Sequence, residues 1–127
     1  MVESRPKPLI QVSKVKKVTV KLPQELKDSL PVKILNDGYN MRQKSKWVVE
    51  AVRSLLSNKE WEGALLSETI VRADAQDVFS IPSGVVTLMN REAHRVAMEN
   101  PSLNANQSTI IRAAINRRLL GFFQLIE

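Results

Sequence analysis

The segment Lys17-Val18-Thr19-Val20-Lys21-Leu22-Pro23 limits the folds open to this chain more than any other. Polar Lys17, Thr19 and Lys21 alternate with apolar Val18, Val20 and Leu22. In a β-strand that spacing sends each set to its own face. One face can enter a core. The other presents two cations and a hydroxyl. A strand this short is not stable alone and needs a partner strand with helices behind it.

Helical periodicity follows the strand, which is predicted over 16–22. Pro23 suits the first position of a helix, with Glu25 in its first turn. Leu26, Leu30 and Ile34 recur every fourth residue and form one stripe. Pro31 inside that run predicts a kink. Asn36-Asp37-Gly38 is a strong stop. Ser45 then reads as an N-cap, and Val48, Val52, Leu55 and Leu56 continue a second apolar stripe to about residue 57. The unit 16–57 is strand, helix, turn, helix. Residues 1–15, with Arg5, Pro6, Lys7, Pro8 and Lys14 and little periodicity, read as a flexible basic arm.

The second half is predicted to repeat this order over 83–127. Val85-Val86-Thr87-Leu88-Met89 is β-prone, giving a strand at 84–89. Asn90 can cap a helix over about 91–100 with Ala93, Val96 and Ala97 inward. Asn100-Pro101 and Asn104-Ala105-Asn106 break it, and Ser108 caps a last helix through Ile110, Ile111, Ala114, Ile115 and Leu119. Ser45 to Val52 and Ser108 to Ile115 align with shared Ser and Ala and with apolar pairs Trp47/Ile110, Val48/Ile111 and Val52/Ile115. Residues 58–82 are expected to be a linker packed on the core. The apolar run 119–126 either closes the core or binds another chain.

Charge is unevenly placed. Residues 1–46 hold eleven Lys/Arg and four Asp/Glu, giving +7; residues 47–127 hold eight and nine, giving −1. Clustered basic charge favours a polyanion through counterion release and steered association. Glu60, Glu62, Glu68, Asp74 and Asp77 keep the linker away from such a partner. The chain has no cysteine, one histidine (His94) and four glycines. That argues against thiolate metal sites, disulfides, phosphate loops and catalysis, so no catalytic residue, metal or cofactor is expected. Trp47 is expected in the core and His94 on the surface. No stretch reads as a signal peptide or a bilayer span, so a cytoplasmic location is expected.

Val18-Thr-Val-Lys-Leu-Pro-Gln-Glu-Leu26 resembles the opening of ribbon-helix-helix proteins of the MetJ/Arc superfamily. Ser45 to Val52 and, more closely, Ser108-Thr-Ile-Ile-Arg-Ala-Ala-Ile115 resemble that family's second helix. The resemblance covers roughly 16–57 and 83–121. It implies a mainly α fold with a two-stranded antiparallel β-ribbon that enters the major groove of double-stranded DNA. Two copies on one chain would make a monomeric pseudo-dimer, able to self-associate on DNA. That arrangement is similar to TraY-type accessory proteins of conjugative plasmids and implies an asymmetric operator. The implied function is a transcriptional repressor, or a relaxosome accessory meeting a relaxase or another transfer protein. The alternative is an antitoxin that binds its own operator and a toxin.

An unpaired ribbon strand would leave backbone groups unsatisfied, so 16–22 is expected to pair with 84–89. Lys17, Thr19 and Lys21 would then read base edges. On the second strand Thr87, with Ser83 beside it, is the favoured outward choice; the opposite choice turns Val86 and Leu88 out. The N-termini of the second helices offer phosphate contacts from Arg42, Lys44, Ser45 and Lys46, and from Gln107, Ser108 and Thr109.

Overall fold

The computed structural model describes residues 14–70 and 72–126, with 67–70 described by their backbone alone. Strand β1 spans Val15–Leu22 and strand β2 spans Ala75–Pro82. They pair antiparallel, with Val15 opposite Pro82, Thr19 opposite Val78 and Leu22 opposite Ala75. Helix α1 (Gln24–Asn36) follows β1, and helix α2 (Lys44–Leu56) follows a short 3-10 turn at Met41–Gln43. A 3-10 segment, Trp61–Ile70, leads to β2; helices α3 (Ser83–Glu99) and α4 (Gln107–Leu119) come after it. The fold is therefore mainly helical, with one two-stranded antiparallel sheet.

One hydrophobic core lies beneath the ribbon. Val20 and Leu22 of β1 and Phe79 and Ile81 of β2 point into it and are fully buried. Helix α1 contributes Leu26, Leu30 and Ile34, as its fourfold spacing requires. Helix α2 contributes Trp47, Val48, Ala51, Val52 and Leu55. It packs on α4, whose Ile110, Ile111, Ala114 and Ile115 are buried. Trp61 is buried as well, and its indole N–H donates to Glu92 Oε1 at 2.9 Å, tying the 3-10 segment to α3. That bond is the main reason the Glu92 carboxyl sits below its ordinary pKa, with burial working against it.

Local chemistry sets the helix ends. Gly38 has φ +91°, and the N–H groups of Gly38 and Tyr39 return to the carbonyls of Leu35 and Ile34. This six-to-one and five-to-two pattern closes α1 as a Schellman motif. Gly121, with φ +90°, closes α4 in the same way through Arg118 and Arg117. At the start of α4, Asn106 and Thr109 form a capping box: Asn106 Oδ1 accepts the Thr109 N–H, and Thr109 Oγ1 accepts the Asn106 N–H. Asn106→Ala is expected to lower stability by about 1 kcal/mol. Urea denaturation of the two proteins measures it.

Several sequence expectations are corrected. Residues 84–89 are not a strand. They belong to α3, where Val85, Val86, Met89, Ala93 and Val96 form one buried helical stripe. Local β-preference yields there to tertiary packing. Residues 58–82 are not simply a linker, because β2 occupies their end. Val15 belongs to β1 rather than to the arm; the rest of the arm lies outside the described residues except Lys14. Pro31 lies inside α1, as the sequence places it. Ser45 and Ser108 are first-turn residues; the N-caps are Gln43 and Asn106. Ala97 is exposed. Of the 119–126 run, Leu119 packs on the core and Phe123 is half-buried, whereas Leu120, Phe122, Leu125 and Ile126 are exposed.

Candidate nucleic-acid interface

Alternation along the two strands gives the ribbon a polar outer face. Lys17, Thr19 and Lys21 are exposed on β1. The register sets them opposite Ser80, Val78 and Gln76 of β2. Three cross-strand rungs result: Lys17/Ser80, Thr19/Val78 and Lys21/Gln76. Gln76 and Val78 are exposed and Ser80 is half-buried. Such a ribbon is narrow enough to enter the major groove.

The first three candidates stand where the sequence puts them. The other two do not. Ser83 is the half-buried first residue of α3, and its N–H donates to the Lys14 carbonyl at 3.0 Å. Thr87 is exposed, but on α3 rather than on the ribbon. Their places on the ribbon belong to Gln76, Val78 and Ser80. A sequence signal for β2 exists: Phe79-Ser80-Ile81-Pro82 has the same apolar–polar–apolar–proline order as Val20-Lys21-Leu22-Pro23.

Helices α2 and α4 each meet one edge of the ribbon. Ser45 Oγ, in the first turn of α2, accepts the Ser80 N–H at 2.8 Å. On the opposite edge, buried Arg112 of α4 donates from Nη1 to the Lys21 carbonyl at 2.7 Å. The start of α2 therefore lies near the Lys17/Ser80 rung, and α4 lies against β1 at the Lys21/Gln76 rung.

The phosphate candidates divide into free and engaged groups. Arg42 and Lys46 are exposed. Lys44 is half-buried; its Nζ lies 2.7 Å from Asp77 Oδ1 and 5.2 Å from the Phe79 ring centre. It braces α2 against β2. Ser45 already accepts a strand amide. Gln107 Nε2 donates to Asn90 Oδ1 at 2.8 Å. Thr109 is 1% exposed, and its hydroxyl is spent on Asn106. Ser108 is half-buried in the first turn of α4. Among the described residues no carboxylate forms an ion pair with Lys16, Lys17, Lys21, Arg42 or Lys46.

Lys16 and Lys17 stand toward the end of the ribbon where Ser45 of α2 meets Ser80, and Lys21 stands toward the other end, where Arg112 of α4 holds its carbonyl. Among the described residues no group of three or more His, Cys, Asp or Glu could hold a metal ion. No described helix is long and apolar enough to cross a membrane. The chain matches no protein-family model, no curated protein and no solved structure in the comparisons made with each.

Proposed function

We propose that the chain is a sequence-specific binder of double-stranded DNA that inserts its β-ribbon in the major groove. It acts as a repressor or as an accessory factor in DNA transfer, with a relaxase or another transfer protein as partner. The observation that carries this reading is the outer face of the ribbon, with Lys17, Thr19 and Lys21 opposite Ser80, Val78 and Gln76 and unpaired cations beside it. Lysine can donate to guanine O6 and N7, glutamine can pair with adenine, and threonine can meet either edge. The start of α2, with exposed Arg42 and Lys46, supplies the phosphate contacts that fix register.

The same reading makes the chain a single-chain pseudo-dimer of two ribbon-helix-helix repeats. Supporting it, the order strand-helix-helix occurs twice. Val20, Leu22 and Pro23 correspond to Phe79, Ile81 and Pro82, and all four apolar members are fully buried. Trp47, Val48 and Val52 correspond to Ile110, Ile111 and Ile115, all fully buried too.

Footprinting on the DNA flanking the chain's own gene tests the proposal. The expected footprint is asymmetric, with stronger protection where the Lys17/Ser80 end, Arg42 and Lys46 lie. A symmetric footprint would remove charge as the determinant of the binding mode, and no protection of any duplex would overturn the proposal. A salt titration examines the arm. The cut belongs after Ser13, because the Lys14 carbonyl holds the Ser83 N–H. Removing 1–13 deletes Arg5 and Lys7, so the log–log salt slope should become shallower by up to about 2. Identical slopes for both proteins would make the arm a bystander.

A further inference from the structure

Resting on the DNA reading above, the geometry points to Val78 as a reader of a thymine 5-methyl group. Val78 stands at the middle rung of the outer face, opposite Thr19. It is 43% exposed, whereas the inward apolar residues of the same ribbon, Val20, Leu22, Phe79 and Ile81, are all at 0%. Its neighbours on that face of β2 are the polar Gln76 and Ser80. A valine there adds nothing to the core and offers no hydrogen bond. The edges of the bases in the major groove are lined with donors and acceptors, and the one apolar group among them is the thymine methyl. A ribbon seated in that groove therefore has one kind of base group against which Val78 can be dried.

The rest of the face decides which half of the groove carries that base. Both cations of the three rungs, Lys17 and Lys21, belong to β1, and β2 presents only uncharged groups. Guanine acceptors suit the β1 half, and the methyl-bearing thymine suits the β2 half, between the base pairs met by Lys17 and Lys21. The bound duplex is then non-palindromic and read in a single orientation.

The experiment begins with the full chain and a pool of random duplexes, from which a bound sequence is selected. Each thymine of that sequence is then replaced singly by deoxyuridine, which deletes the methyl and leaves every hydrogen-bonding group. One position inside the footprint should lose about 4-fold in affinity, the worth of one buried methyl. Val78→Ala should bind the thymine duplex about as weakly and lose nothing more on uracil substitution at that position. Its circular dichroism spectrum should match that of the parent, because the side chain lies on the solvent face. The inference falls if no thymine in the footprint is sensitive, if the selected site has no thymine there, or if Val78→Ala keeps the full uracil penalty. A pool that yields no preferred duplex instead overturns the DNA reading itself.

Discussion

Arg118→Met is expected to lower the free energy of unfolding by about 3–5 kcal/mol, the usual cost of breaking a buried ion pair from one side. Arg118 is only 6% exposed. Its Nη1 donates to the Trp47 carbonyl at 2.8 Å and to Glu50 Oε1 at 3.2 Å, and its Nη2 to Tyr39 Oη at 3.3 Å. The Tyr39 hydroxyl itself donates to Glu50. The guanidinium also stacks on Phe123 at 3.7 Å and Trp47 at 4.5 Å from the ring centres. Through these bonds the end of α4 holds the first turns of α2 and the loop after α1. Methionine keeps the bulk but leaves the half-buried Glu50 carboxylate without its cation. Urea denaturation with constant m-value reads the loss. Replacing Glu50 with methionine as well should recover much of it, since the stranded charge is then gone. A single-variant loss below about 1 kcal/mol would show that the cluster is dispensable.

The triple variant Lys17→Ala, Thr19→Ala, Lys21→Ala is expected to weaken binding to a specific duplex by at least about 3 kcal/mol, a factor above roughly 100. Each single lysine change should cost about 1–3 kcal/mol if it contacts a base. A lysine that meets only phosphate would show a different pattern, with similar loss on all sequences and a shallower salt slope. All three side chains are exposed, so unfolding stability should shift by no more than about 0.5 kcal/mol. Affinity and stability measured on the same preparations separate recognition from folding. Unchanged affinity in the triple variant would take the ribbon out of the interface.

The first half of the chain was legible because its signals agreed. Alternation at Lys17–Leu22, the fourfold stripe of Leu26, Leu30 and Ile34, and Asn36-Asp37-Gly38 at the helix end all pointed one way; Pro23 is the N-cap rather than the first helical residue, and Trp47 is in the core as expected. The second half was misread because two signals competed. Val85 to Met89 is rich in β-branched residues, yet Val85, Val86, Met89, Ala93 and Val96 also fit one helical face. Burial of that face decided the outcome. Meanwhile β2 was hidden among acidic residues, and its Asp77 is held by Lys44, a long-range contact that no local pattern announces. The outward face of β1 survived this error intact; that of β2 did not, since placing Gln76, Val78 and Ser80 needs the register. The caps were misassigned for a smaller reason. Serine and asparagine are comparable N-caps, and only the capping-box bonds single out Asn106 over Ser108.

Both strands of the ribbon come from the same chain. In a ribbon assembled from two copies, strand pairing is a bimolecular event and fails on dilution. Here closure is intramolecular, so the melting temperature of the ribbon should not depend on protein concentration. At protein levels below the dissociation constant, occupancy of a site would then rise in proportion to the amount of protein, without the threshold that a dimerisation step imposes. Heredity is affected as well. A substitution in a homodimeric ribbon appears at two symmetry-related places at once, whereas a change at Gln76 alters a single position and leaves Lys21 as it was. The outer residues of the two strands are free to change independently, one residue at a time.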